Sequence, residues 1–196
     1  MVYFDDENNV RNYEQMAEAP GGALLVSVLQ DHLPRGRSVL EIGMGPGRDL
    51  DRLVRGGYLT VGSDHAAPFL DRYRARGGQA ECLLLDAVTL ATDEEFDAVL
   101  SNKVLHHLDA EQLVESLERQ RDLVGPGGLL LHSFWRGDRT ETHHGLLFTY
   151  WEIEAIEGLL PASLIVRSSG RYGDIWEEDS FWVLLEVDSD QAACRG

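Results

Sequence analysis

Apolar positions recur along this chain in two alternating rhythms. Runs of five or six mainly apolar residues at Ser38–Ile42, Leu59–Ser63, Glu81–Leu85, Phe96–Ser101 and Leu129–Phe134 read as buried strands. Between them lie amphipathic stretches with helical spacing at Pro46–Arg55, Pro68–Arg76 and Ala110–Leu123. Glycines close each one, at Gly56-Gly57, Gly77-Gly78 and Gly125-Pro126-Gly127-Gly128. Pro46 suits the first turn of its helix, where a missing N–H costs nothing. Strand–helix repetition of this kind predicts a parallel, doubly wound sheet with helices on both faces and right-handed crossovers.

The two ends of the chain break the rhythm. Asn8–Ala19 reads as a helix stopped by Pro20-Gly21-Gly22, and Ala23–Leu33 as a second, with Leu25, Val28, Leu29 and His32 on one face. At the far end, Thr149–Leu160 looks helical, and the strand-like runs Leu164–Ser168 and Phe181–Val187 follow with no helix between them. Two strands joined by a loop predict an antiparallel pair, hence a reversed strand in the sheet. Residues after Asp188 lose all periodicity and read as a frayed tail. The expected division is a helical lid segment over residues 1–36, a core over 37–188 and a tail over 189–196.

Composition narrows the classes of function. A length of 196 residues with 43% apolar content fits one domain with a full core. The net charge of −17 sets up a field that repels phosphate backbones and anionic lipid, so nucleic-acid and membrane partners are not expected. No apolar run approaches the ~20 residues of a membrane span. The acidic opening, Met1-Val2-Tyr3-Phe4-Asp5-Asp6-Glu7, does not resemble a signal peptide. Cys82 and Cys194 stand apart from any His/Cys cluster, so neither a disulfide framework nor a metal site is expected, and a cytoplasmic location is.

The most specific chemistry sits after the first strand, in Glu41-Ile42-Gly43-Met44-Gly45-Pro46-Gly47. Glycine tolerates positive φ and lets a ligand approach the backbone, and the following helix turns unpaired N–H groups toward the loop. The G-x-G-x-G spacing departs from the G-x-G-x-x-G of dinucleotide-binding folds. An acidic residue, Asp64, ends the second strand about twenty residues on, where a carboxylate can accept from two ribose hydroxyls. It equally suits capping of the next helix.

From Ser38 to Val187 the order of these stations resembles the class I S-adenosylmethionine (SAM)-dependent methyltransferases of small-molecule type. The likeness rests on the glycine run, on Val61-Gly62-Ser63-Asp64, on Leu84-Leu85-Asp86-Ala87, on Phe96-Asp97 through His106-His107-Leu108, and on Val124-Gly125-Pro126-Gly127-Gly128. It implies an α/β, Rossmann-like three-layer αβα sandwich. The sheet would have seven mostly parallel strands with an antiparallel last strand, and N-terminal helices would precede it. It implies SAM as cofactor, with Glu41 near the ammonium and Gly43, Met44 and Gly45 against the amino-acid part. Asp64 and His65 would lie at the ribose, and Asp86 and Ala87 at the adenine. Asn102 and Lys103 would lie near the sulfonium or the acceptor. Lys103, the sole lysine, departs from the small or apolar residue expected there.

Methyl transfer is an in-line displacement in which alignment of donor and acceptor is the main task. A base is needed only where the acceptor must lose a proton, and His106 or His107 would serve. Tyr13, Trp135 (or Trp151) and His143, the last in a polar loop after the fifth strand, are candidate acceptor contacts. Adjacent histidines point in different directions, so neither His pair makes an easy metal site. The expected partner is a small-molecule methyl acceptor, with the chain a monomer or homodimer. The alternatives are a non-catalytic SAM-binding or scaffold module and, opposed by the glycine spacing and the paired last strands, an NAD(P)-dependent oxidoreductase.

Overall fold

The computed structural model describes Phe4, residues 6–16 and residues 21–189. Two N-terminal helices, α1 (Glu7–Met16) and α2 (Gly21–His32), precede an alternating core. That core runs β1 (Ser38–Ile42), α3 (Arg48–Gly56), β2 (Leu59–Asp64), α4 (Ala67–Ala75), β3 (Glu81–Leu84), β4 (Ala98–Asn102), α5 (Ala110–Val124) and β5 (Leu129–Trp135). A hairpin, β6 (Thr140–His143) with β7 (Leu146–Thr149), follows, then α6 (Ile153–Leu159), β8 (Leu164–Tyr172) and β9 (Ser180–Val187). The seven-stranded sheet has the order β3-β2-β1-β4-β5-β9-β8, with β6 and β7 apart from it. Strands β1 to β5 pair in parallel, and β9 enters antiparallel to both of its neighbours, β5 and β8. The order reverses between β1 and β4, and ligands of open α/β sheets bind in the crevice at such a switch point, beyond the carboxyl ends of the strands.

The central strands are apolar on both faces because helices cover both. Alternation sorts their side chains. Ala98, Leu100, Leu129, Leu131 and Leu184 pack with Leu25, Leu29 and Leu53 of α2 and α3. Val99, Leu130, Val183 and Leu185 pack with Leu113, Leu117 and Ile156 of α5 and α6. Helix α2 is thus built into the sheet's own core. Helix α1 lies elsewhere: its Val10 packs with Met44, Leu50, Ala66 and Phe69, beside the glycine loop.

Three local expectations need correction. Pro46 lies in a turn, and α3 begins at Arg48 after Gly47, whose φ of 76° is left-handed and ends helical continuity on that side. The stretch expected as a polar loop after β5 instead folds into the β6–β7 hairpin, with Thr140 opposite Thr149 and His143 opposite Leu146. The helix expected over Thr149–Leu160 is confined to Ile153–Leu159, because Thr149 belongs to β7 and Trp151 bridges to Arg136. Among the described residues no helix is long and apolar enough to cross a membrane.

Candidate active site

The glycine loop leaves β1 as a chain of left-handed residues, with φ of 65° at Gly43, 47° at Gly45 and 76° at Gly47. A side chain at Gly43 would start 2.5 Å from Val104 Cγ2, so the loop and the residues after β4 touch as backbone against side chain. The Met44 N–H donates to the Ser63 carbonyl at 2.8 Å, and the Gly45 N–H donates to Asp64 Oδ2 at 2.9 Å. Asp64 Oδ1 accepts from the Ala66 N–H at 2.9 Å, so this carboxylate both holds the loop against β2 and opens α4. Met44 itself is buried in the core beneath the loop. His65 is exposed, with its Nδ1 3.6 Å from Asp64 Oδ1.

Glu41, at the end of β1, is 3% exposed, and its Oε2 has no hydrogen-bond partner. Burial, then the neighbouring Asp49 and Asp64, push its carboxyl well above the ordinary range. An orphaned acid among further acids is costly in the ligand-free protein and is relieved by a cation. The ammonium and sulfonium of SAM are such cations, so the donor set fits this cofactor. Asp86 is exposed, and its Oδ1 accepts from the Val88 and Thr89 N–H groups at 2.9 and 3.0 Å, which fixes the turn after β3. Ala87 is half-buried next to it.

At the end of β4 a polar chain crosses the crevice. Asn102 donates through Nδ2 to Asp49 Oδ2 at 2.8 Å and accepts at Oδ1 from the Ser133 hydroxyl at 2.7 Å. The Lys103 N–H in turn donates to Ser133 Oγ at 3.1 Å. Lys103 takes a φ of 57°, uncommon for a side-chain-bearing residue, and the turn sends its side chain toward β5, β8 and β9. Its ammonium lies 3.2 Å from the centre of the Trp135 ring and 5.5 Å from that of Tyr172. It donates to Ser180 Oγ at 2.5 Å and faces Asp174 Oδ2 at 3.4 Å. Burial outweighs the acid and lowers this lysine to about 8. The Tyr172 hydroxyl approaches Ser133 without a well-aligned hydrogen bond, and burial pushes it up.

His106 and His107 form a single 3-10 turn after β4, under the β6–β7 hairpin. Phe148 of β7 meets both rings, at 5.2 and 4.7 Å between centroids. His106 is 2% exposed, both its ring nitrogens lack partners, and burial drives it well below its ordinary value, so it is neutral. His107 places Nδ1 2.6 Å from the Leu147 carbonyl, so Nδ1 carries the proton and Nε2 keeps its lone pair. Burial lowers His107 as well. His143 sits on the hairpin, exposed and paired with Glu141 at 2.9 Å. The side chain of Tyr13 lies outside the described residues.

The structure therefore gathers Glu41, the glycine loop, Asp64 and Asn102 at one end of the strands, with Lys103 and Trp135 on the β5–β9 side. Asp49, Ser133, Tyr172, Asp174 and Ser180 join them without having been singled out from the sequence. Of these, Ser133 is brought in by strand register, standing opposite Asn102 in the β4–β5 pair. A cavity of about 360 Å³ lined by His32, Arg37, Asp97 and Glu186 lies at the opposite end of the strands, away from this machinery. Among the described residues no cluster of three or more His, Cys, Asp or Glu suits a metal.

Residues 39–128 match the family model described as "Methyltransferase domain". That stretch, just under half of the chain, is similar to a methyltransferase domain. The 1,6-didemethyltoxoflavin-N1-methyltransferase of Burkholderia thailandensis, solved with its acceptor and S-adenosylhomocysteine, shares this domain's fold. Its TM-score is 0.75 at 19% identity, over 92% of this chain and 83% of that one. In sequence, the chain is 32% identical over 117 residues to the human "Probable tRNA methyltransferase 9B", which is 59% of this chain and 25% of the relative. It is 35% identical over 108 residues to an uncharacterized methyltransferase of Mycobacterium tuberculosis, 53% of this chain and 54% of that one. The chain thus spans about a quarter of the length of the tRNA methyltransferase relatives it matches.

Proposed function

We propose that this methyltransferase domain methylates a small molecule. The observation that carries the cofactor half of this reading is the buried, unpartnered Glu41 oxygen beneath a left-handed glycine loop. Glu41 holds the cofactor's ammonium, Gly43 and Gly45 flank its amino-acid part, and Asp64 with His65 receives the ribose. Asp86 and the Ala87 N–H receive the adenine, while Asn102 lies at the boundary with the acceptor. Helix α1 covers this half, its Val10 packing against Met44 and Phe69. When bound, SAM supplies a methyl group on a good, neutral leaving group. The chain's own task is to hold the acceptor in line with it. Where the acceptor must shed a proton, the neutral His107, with Nε2 basic, is the group able to take it. Trp135 and the hairpin bearing His143 line the acceptor side.

A small acceptor is favoured over RNA by the net charge of −17, which opposes a polyanion. The tRNA relatives support the second reading, an RNA acceptor. Transfer of labelled methyl groups to a metabolite panel and, in parallel, to total tRNA tests the choice. Turnover confined to metabolites is the expected result, and labelled tRNA alone would overturn it. Calorimetry with SAM and with NAD tests the cofactor assignment. SAM binding without turnover on any acceptor would leave a binding module.

A further inference from the structure

The acceptor half of the crevice contains a feature the cofactor does not explain. Lys103, the one lysine of the chain, turns its ammonium into a buried box of Trp135, Tyr172, Ser180 and Asp174. The lysine side chain is 11% exposed and the Asp174 side chain 1%. A residue at φ 57° pays a conformational cost to point this way.

A purely structural ion pair would leave no donor unspent. Here the Tyr172 hydroxyl is buried beside Ser133 without a well-aligned hydrogen bond, and the Ser133 oxygen already accepts from the Lys103 N–H. The ammonium's partners are also unequal, with the Ser180 hydroxyl at 2.5 Å and the Asp174 carboxylate at 3.4 Å. Asp174 is carried not by the sheet but by the turn between β8 and β9, which Asp179 organises by accepting from the Asp174, Ile175 and Trp176 N–H groups. The counter-ion is therefore on a turn outside the sheet, whereas the lysine follows directly from β4 and its backbone N–H is held by Ser133 of β5. The acids facing the ammonium are Asp174 and Asp179, and the neutral His106 lies near it.

We propose that Lys103, with the Tyr172 hydroxyl, is the specificity determinant of the acceptor site and selects acceptors that carry an anionic oxygen, such as a carboxylate or an acidic hydroxyl. The anion takes the place of the Asp174 carboxylate on the ammonium and satisfies the Tyr172 hydroxyl. The same ammonium already fills the Trp135–Tyr172 box, so an amine-bearing acceptor meets a like charge in that aromatic cage. The inference rests on the acceptor occupying the β4–β5–β9 side of the crevice, as in the reading above.

A single lysine gives a single side-chain signal. Protein labelled with 13Cε-lysine and saturated with S-adenosylhomocysteine is titrated with benzoate, benzamide and benzylamine, three rings that differ in charge. Benzoate is expected to move the Lys103 signal saturably and to bind about tenfold or more tightly than benzamide, while benzylamine leaves the signal in place. Lys103→Met is expected to erase the preference for benzoate, Lys103→Arg to retain it, and Asp174→Asn to strengthen it. Equal affinities for benzoate and benzamide, a signal unmoved by all three probes, or a preference that survives in Lys103→Met would each overturn the proposal. Calorimetry with S-adenosylhomocysteine on the same samples shows that the variants are folded. Its failure on the unaltered protein would overturn the cofactor reading instead, and the titration of the unloaded protein then still decides the anion site.

Discussion

Asn102 Nδ2 donates to Asp49 Oδ2 at 2.8 Å and thereby ties the end of β4 to the first turn of α3, across the crevice where the sheet order reverses. Asp49 is 8% exposed and is also paired with Arg52, one turn along the same helix. Asn102→Asp sets two carboxylates against each other in this buried place and removes the donor. It is expected to destabilise the protein by about 2 kcal/mol, more at pH 8 than at pH 5, where the new acid can keep its proton. Chemical denaturation at the two pH values checks this. A double-mutant cycle of Asn102→Ala with Ser133→Ala is expected to show coupling of about 1 kcal/mol, because the Ser133 hydroxyl donates to Asn102.

Glu41 gives an effect of opposite sign in stability and in binding. In the ligand-free protein its carboxyl holds a proton to higher pH than in the unfolded chain. Between the ordinary carboxylate value and that raised value the native state binds more protons, so stability falls as pH rises. Glu41→Gln removes the penalty. Ligand-free Glu41→Gln is expected to melt higher than the unaltered protein at pH 7–8, by about 2–4 °C for each kcal/mol relieved, with the gap closing toward pH 4. The same variant is expected to bind SAM at least about tenfold more weakly, having lost the negative partner for the ammonium. Calorimetry in two buffers of different ionisation enthalpy is expected to show proton release when SAM binds the unaltered protein, and none with Glu41→Gln.

Gly43 separates strain from collision. Alanine there faces both a left-handed φ of 65° and a contact of 2.5 Å with Val104 Cγ2. Gly36, at φ 83°, has nothing within 4 Å, so Gly36→Ala carries the backbone cost alone, about 1 kcal/mol. Gly43→Ala is expected to cost at least twice that and to abolish SAM binding. In the Gly43→Ala, Val104→Ala double variant the collision is gone, so the combined destabilisation is expected to be smaller than the sum of the two single effects. Urea unfolding of the four variants reads this directly.

The parallel half of the fold is legible in sequence because its central strands are buried on both faces and therefore mainly apolar, and because glycines follow each of its helices. The proposed cofactor residues Glu41 and Asp64 are legible for a related reason: they sit at the carboxyl ends of β1 and β2, and Glu41 leads into the left-handed Gly43 and Gly45. The hairpin is not. Thr140-Glu141-Thr142-His143 shows no apolar alternation, and what holds β7 down is long-range packing of Phe148 on His106 and His107. Likewise β8 runs on through Ser168-Ser169-Gly170-Arg171 to Tyr172, past the expected end at Ser168, because pairing with Ser180–Leu184 of β9 supplies what the polar sequence does not. That overrun carries Tyr172 and the Asp174 turn to Lys103, so the acceptor side depends on register rather than on motif.

His132 makes acid sensitivity a property of the sheet itself. It lies in β5 at 0% exposure, with Nδ1 2.8 Å from Ser101 Oγ of β4 and Nε2 without a partner. Burial alone lowers it to about 3. Between pH 6.5 and about 3 the unfolded chain protonates this histidine and the native state does not, so stability is full above that window and is lost as pH falls through it. The loss reaches on the order of 3–5 kcal/mol by the bottom of the window. The buried His106 adds to it in the same direction, whereas Glu41 opposes it. His132→Asn keeps a hydrogen-bonding group toward Ser101 but has nothing to protonate. It is expected to be less stable than the unaltered protein at pH 7, because the smaller side chain leaves a void, and to lose less stability between pH 6.5 and 4. Urea unfolding across that range measures the slope for each protein. Parallel slopes would mean that His132 does not carry the acid sensitivity.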